Sequence, residues 1–254
     1  IMDTAKEAFI RWMETGEPDK HLQGIDLPDV PLWAAWAIQR YSHDTDVPTA
    51  RERYGELVAQ LIDFIIDGKH PNLQVDDNGL VRTDGTRQPM SWMDSARPDG
   101  TPLIPRTGYL VEFNALWYNA LMFLLQMYAD DKQMQSRVER WQKISDAYAE
   151  SFAPTFLNDY GYLYDYVNGS YTDLSVRPNM VIAVGVDHTP LDRRQRKRIL
   201  DFITRELLTP KGLRTLSPNS YGYNPWYVGN PEQREMAYYS GSARPWLMGF
   251  YCHA

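Results

Sequence analysis

The chain has 254 residues, enough for one large core or two small ones, with 43% apolar residues and a net charge of −7. The acidic balance argues against a nucleic-acid partner, because binding phosphate needs a basic field, and no apolar stretch approaches the ~20 residues of a membrane span. The single cysteine, Cys252, excludes an internal disulfide and a cysteine-based metal cluster, while the high aromatic share, 13% with 8 Trp and 17 Tyr, suits either a large helical core or a site where sugar rings stack on aromatic faces.

The chain opens Ile1-Met2, with no initiator methionine and no signal peptide, so a piece of a longer cytoplasmic protein is expected. Apolar residues at helical spacing (Ala5, Ala8, Phe9, Trp12, Met13) predict a first helix over about 4–14, ended by Gly16 and Pro18. Asp29 is expected to N-cap the next helix, which has Pro31 in its first turn and carries Trp33 and Ile38. A third helix follows Pro48, with Tyr54, Leu57, Val58, Leu61, Ile62 and Ile65 in one stripe. Asn78-Gly79, between Leu73-Gln74-Val75 and Leu80-Val81-Arg82, signals a small hairpin. The Pro-, Gly-, Asp- and Arg-rich stretch from there to Tyr109 is a loop of a length that compact domains rarely keep without a use for it.

A central helix is expected over about 110–129, with Phe113, Leu116, Trp117, Ala120, Leu121, Leu124 and Leu125 on a wide apolar face, and another over about 132–152. Tyrosine-rich residues 158–167 predict a turn and a short strand ending at Asn168-Gly169. Residues 176–186 read equally well as a buried helix or a strand. Pro190 opens a helix through Leu207. Its run Arg193-Arg194-Gln195-Arg196-Lys197-Arg198 reads as a solvated face rather than an anion site, since Ile199, Leu200, Phe202 and Ile203 supply the buried side. An aromatic loop from Ser217 to Pro231 precedes a last helix, expected to begin near Gly241. No fixed period recurs, which excludes a helical-repeat array. Helices joined alternately by short turns and long aromatic loops predict antiparallel helix pairs with the long loops gathered at one end to form a site.

Two carboxyls invite a chemical reading. Asp94 stands beside Trp92 in the long loop, and Glu112 lies in the first turn of the central helix. Apolar contact raises the pKa of an acid, and an indole face offers a platform for a sugar. The plain reading is that Asp94 caps a turn and Glu112 favours a helix N-terminus. His70 and His188 have no partner at metal-ligand spacing, so they read as solvent-facing loop residues, and neither a metal nor a cofactor is expected.

Several blocks, in order, carry a family resemblance: Asp29-Val30-Pro31-Leu32-Trp33; Trp92-Met93-Asp94 with Pro105-Arg106-Thr107-Gly108; Val111-Glu112-Phe113-Asn114; Ser175-Val176-Arg177-Pro178-Asn179; Thr209-Pro210-Lys211-Gly212; and Tyr238-Tyr239-Ser240-Gly241 with Pro245-Trp246. From about Gly24 to the C-terminus the chain resembles the glucosidase domain of glycogen debranching enzymes, the amylo-α-1,6-glucosidase family. The resemblance implies an all-α (α/α)6 toroid, here a single catalytic-type domain over 1–254, expected to be incomplete at one or both ends. It also implies hydrolysis of α-1,6-linked glucose at glycogen branch points with inversion, and an N-terminal β-sandwich in the full-length parent. Inversion needs an acid and a base roughly 6.5–9.5 Å apart. The family motif makes Asp94 the general acid, with Trp92 as its apolar wall. It makes Glu112, Arg106, Arg177 and Asn179 sugar contacts, and Trp33 and Tyr221 stacking faces, while Trp117 reads equally as a stacking face or as core.

Two departures accompany the likeness. Tyr239-Ser240 replace a His-Gln pair, and Arg244 replaces a Trp. The family's general base is expected beyond Ala254, with Glu235 the nearest acid within the chain, ranked as a substrate or structural residue. Alternatives are another (α/α)6 glycosidase, trehalase-like or glucoamylase-like, and a carbohydrate-binding relative without catalysis.

Overall fold

The computed structural model describes residues 1–254. It is mostly helical, with ten α-helices and eight strands of two or three residues. No helix is long and apolar enough to cross a membrane. The helices are α1 (Met2–Thr15), α2 (Asp29–Asp44), α3 (Val47–Ala50), α4 (Glu56–Ile66), α5 (Val111–Tyr128), α6 (Gln135–Phe156), α7 (Met180–Gly185), α8 (Arg193–Leu207), α9 (Pro231–Tyr239) and α10 (Met248–His253). A π-helical stretch, Arg51–Gly55, joins α3 to α4.

Two of the helices are buried almost throughout. Helix α7 is buried on every side, and α5 exposes only Tyr118, Met122 and Gln126 appreciably, as expected of helices apolar all round. Helices α2, α5, α7 and α10 pack one against the next in that order. Outside them, α6 lies on α5 and α8 on α7, each burying one stripe: Trp141, Tyr148, Phe152 and Phe156 on α6, and Ile199, Ile203 and Leu207 on α8. Helix α7 approaches α10 so closely that a Cβ on Gly185 would stand 2.4 Å from the Phe250 carbonyl oxygen. That contact leaves room for glycine alone.

The strands form three small antiparallel sheets near the ends of these helices: β1 (Gln74–Val75) with β2 (Val81–Arg82); β3 (Tyr109–Leu110), β4 (Tyr166–Asn168) and β5 (Tyr171–Thr172); β6 (Leu208–Thr209), β7 (Gly212–Arg214) and β8 (Ala243–Arg244). The β1–β2 turn falls at Asn78-Gly79 as the sequence predicts, with Gly79 at φ +77°. Asn114 of α5 clamps this hairpin, its side chain accepting from Val81 N–H and donating to Val81 C=O, both at 2.9 Å.

Several expectations need correction. Asp29 does not cap α2. It lies inside the first turn, buried, and makes no capping hydrogen bond. The basic helix starts at Arg193, not Pro190, because Asp192 and Gln195 form a reciprocal capping box. The last helix does not begin near Gly241: a 3-10 turn over Pro245–Leu247 leads into α10 at Met248. Residues 180–185 are a helix rather than a strand. The aromatic loop yields to α9, started by a second capping box between Asn230 and Gln233 with Pro231 in the first turn. His70 does not face solvent. It is 5% exposed against Trp12 and Phe64, and burial pushes its pKa down to about 4.

Candidate active site

The N-terminal ends of α2, α5 and α7 converge, and the long loops before them meet there. Arg106, in the loop before α5, joins them. Its Nη1 and Nη2 reach the two carboxylate oxygens of Glu112, at 2.5 and 2.9 Å, in a bidentate pair. Its Nε donates to Asp165 Oδ2 at 2.7 Å, Nη2 donates also to Asp165 C=O, and Nη1 donates also to Ser91 Oγ. All five guanidinium protons are thereby used within the protein. Burial alone would lower the pKa of Arg106, but the Asp165 and Glu112 carboxylates outweigh it and hold the charge in place. Burial pushes Glu112 up, and Arg106 pulls it back. Asp165 Oδ1 accepts from Asn179 Nδ2 at 2.8 Å, and its Oδ2 lies 3.8 Å from Arg177 Nε. Arg177 Nη1 donates to Tyr239 C=O (2.7 Å) and Thr215 C=O (3.3 Å), which ties in the fourth loop. Two guanidiniums and two carboxylates thus form a buried set. Arg177 Nε and Asn179 Oδ1 make no hydrogen bond within it.

Asp94 sits at the rim of this set, 9% exposed. Its Oδ1 accepts from the backbone N–H of Ser95 (2.8 Å) and Ile104 (2.6 Å), leaving Oδ2 without a protein donor. Its carbonyl oxygen accepts from the Tyr239 hydroxyl at 3.0 Å. Burial raises the Asp94 pKa against the pull of those amides and of Arg106. Glu235 of α9 comes beside it, with Oε2 3.4 Å from Ser95 Oγ, and α9 is anchored to the same loop by an Arg97–Glu232 ion pair at 3.2 Å.

Trp92 lines a cavity of about 630 Å³ together with Trp33, Trp36, Trp246 and Phe250. Trp92 meets Trp246 edge-on at 5.0 Å and 86°, and its indole N–H is buried without a partner. Asp94, two residues on, is not among the lining residues. Asp29 lies beside Trp33 and the Trp92 backbone. Burial first, and the nearby Glu112 carboxyl second, raise its pKa to about 7. Tyr221, expected as a stacking face, is fully exposed at a different cavity that shares no lining residue with this one. Trp117 is core, with its indole N–H donating to Gly79 C=O at 3.0 Å.

Sequence reasoning missed two residues of this region. Asp165 is the hub of the buried set, yet it sits in the tyrosine run Tyr164-Asp165-Tyr166, which reads only as loop and strand. Asp29 read as a cap because an acid before an apolar helix usually is one. The Pro31-Leu32-Trp33 that follows it was the available signal that the helix start is apolar and buried.

Fold and site together describe a helical domain with buried carboxyls and clustered indoles where its loops meet. The family described as Amylo-alpha-1,6-glucosidase matches residues 22–254, and the chain belongs to that family. The chain is similar to the glycogen debranching enzyme of Saccharomyces cerevisiae, 25% identical in an alignment 236 residues long, gaps included, that covers 76% of this chain and 15% of the yeast protein. It spans only that small share of the relative's length. Among solved structures, a GH78 family rhamnosidase of Bacillus sp. GL1 shares its fold at a TM-score of 0.52 and 14% identity, over 70% of this chain and 17% of the rhamnosidase.

Proposed function

We propose that the chain is a debranching-type glucosidase domain built on the (α/α)6 plan, which removes α-1,6-linked glucose from glucan branch points with inversion. The observation that carries the reading is the setting of Asp94: a buried acid whose Oδ1 is held by two amides and whose Oδ2 has no protein donor. Burial raises the pKa of this acid, the direction that protonation of a glycosidic oxygen requires. Trp33 and Trp92 would receive the sugar ring, and the unpartnered Trp92 indole N–H would find an acceptor in a sugar hydroxyl. Arg106, Glu112, Arg177 and Asn179 would act on the sugar mainly by fixing the loops around it, since a direct contact from Arg106 would first have to break an ion pair.

Inversion needs a second carboxyl to activate water. Glu235 and Asp29 are the in-chain carboxyls that stand near Asp94 and Trp92. A base variant collapses the rate and removes the acidic limb of the pH–rate profile, whereas a binding variant chiefly raises KM, so Glu235→Gln and Asp29→Asn assign the role.

The principal test is Asp94→Asn, assayed by glucose release from α-1,6-branched limit dextrin. We expect a fall of ~10²–10⁴ in rate; a near-normal rate would remove Asp94 from the mechanism. A second reading, a sugar-binding relative without hydrolysis, draws on Tyr239-Ser240 and Arg244 at the end block, where Arg244 lies over the Tyr238 ring. Calorimetric binding of isomaltose with no glucose release by the wild type is its signature.

A further inference from the structure

The β4–β5 hairpin and the loop after α8 flank a second, open cavity of about 620 Å³, within the ~300–1,000 Å³ of small-molecule sites. One wall is preorganised. Tyr162 stacks on Phe202 with centroids 4.4 Å apart, and its hydroxyl donates to Leu174 C=O at 2.9 Å; Tyr171 leans on Tyr166 at 5.6 Å. Much of the apolar surface around the cavity is open. Tyr171, Leu174 and Tyr221 are 54%, 48% and 103% exposed, and Tyr160, exposed as well, stacks on Tyr162. Four of the nine large apolar side chains exposed on the whole chain therefore gather at one place. Scattered surface apolars need no explanation, but a cluster around a cavity does.

The polar groups narrow the ligand. Asp173 and Glu206 line the cavity with Asn219, and no lysine or arginine does. An anion would meet two carboxylates there, and the adjoining guanidinium, Arg205, is already paired with Glu206 at 3.0 Å. Asp173 Oδ1 accepts only from Ser175 N–H, at 3.0 Å, so acceptor capacity is left over. Glu206 is already engaged, accepting from Ser217 Oγ (2.8 Å), Asn219 Nδ2 (2.9 Å) and Arg205 Nε (3.0 Å), so ring faces to stack on and the spare acceptor capacity of Asp173 are what fit a neutral polyol ring. The cavity also adjoins the candidate active site. Ser217 N–H donates to Val176 C=O (3.0 Å) and Val176 N–H to Ser220 Oγ (3.2 Å), immediately before Arg177.

We propose that this cavity is a second, non-catalytic site for an α-glucan chain, holding a sugar unit apart from the Trp33–Trp92 cavity. The choice of glucan among polyols rests on the glucosidase reading. The test is calorimetric titration of the whole chain with maltoheptaose, a linear oligosaccharide with no α-1,6 bond to cleave. Wild type is compared with a Tyr171→Ala/Tyr221→Ala variant. Both residues are exposed, so folding should be untouched, as an unchanged thermal midpoint will show. Wild type should bind, and the variant should bind about tenfold more weakly or worse. Equal affinity in the two proteins, or no binding by wild type, overturns the site. Choline binding that the same substitutions abolish also overturns it, by showing a cage for cations. Loss of the glucosidase reading registers separately, as absent glucose release from limit dextrin with maltoheptaose binding intact.

Discussion

At the scale of single residues, Asp29 and His70 carry opposite pH signatures, both caused by burial. The Asp29 pKa stands near 7 in the folded chain against a usual 3.8, so between those values the folded state binds more protons than the unfolded one. Stability from this group is therefore fully present below about pH 4 and is lost as pH rises through about 7, by about 4 kcal/mol at most. His70, held near 4 against a usual 6.5, acts the other way: the unfolded chain binds more protons, and stability rises from about pH 4 to 6.5. The net curve of the wild type mixes the two. Subtracting it from the curve of Asp29→Asn isolates the carboxyl. Urea unfolding at a series of pH values should show the variant gaining stability relative to wild type as pH rises toward 8. A difference that stays flat from about pH 4 to 8 would mean that Asp29 ionises freely in the folded protein.

At the scale of elements, the turns and caps make the sharpest claims. A Cβ on Gly79 would stand 2.5 Å from Ile144 C=O and 2.6 Å from Tyr148 N, at a φ that other residues avoid. Gly79→Ala should cost about 1–3 kcal/mol, or more if α6 must shift, read as a lower denaturation midpoint. Asn230→Ala removes the cap of α9 and should cost about 1 kcal/mol, with faster amide exchange confined to residues near its N-terminus.

These elements also show what a sequence can reveal about itself. The central helix, the stripe of α4 and the Asn78-Gly79 turn were legible because each is written in local periodicity or turn chemistry. Helix α9 was legible in principle from Asn230-Pro231-Glu232-Gln233, but the surrounding Tyr, Trp and Gly drew the reading toward loop. The burial of Asp29, and the gathering of Arg106, Glu112 and Arg177 around Asp165, were not legible. Burial there depends on which distant segments arrive, and charge type alone does not distinguish a sugar contact from an ion-pair partner.

At the scale of the whole molecule, the buried Arg106 set ties the loop before α5, the first turn of α5, the Asp165 segment and the start of α7 to one another. Removing one member leaves uncompensated charge in the interior, so Arg106→Met should destabilise by about 3–5 kcal/mol, well beyond an ordinary surface substitution. A loss under about 1 kcal/mol would mean that the pair is solvated in solution.

The same guanidinium has a kinetic corollary. Amide protons at Ile104, Val81 and Val111 lie in separate stretches of chain that are tied together: Ile104 N–H is held by Asp94, in the loop that Arg106 grips at Ser91; Val111 N–H by the Asp165 carbonyl that Arg106 also grips; and Val81 N–H by Asn114, on the helix that begins at Val111. Their deuterium uptake should therefore share one opening free energy, with the three stretches letting go together rather than fraying one at a time. In such an assembly a ligand arriving at any one loop would quiet the other two.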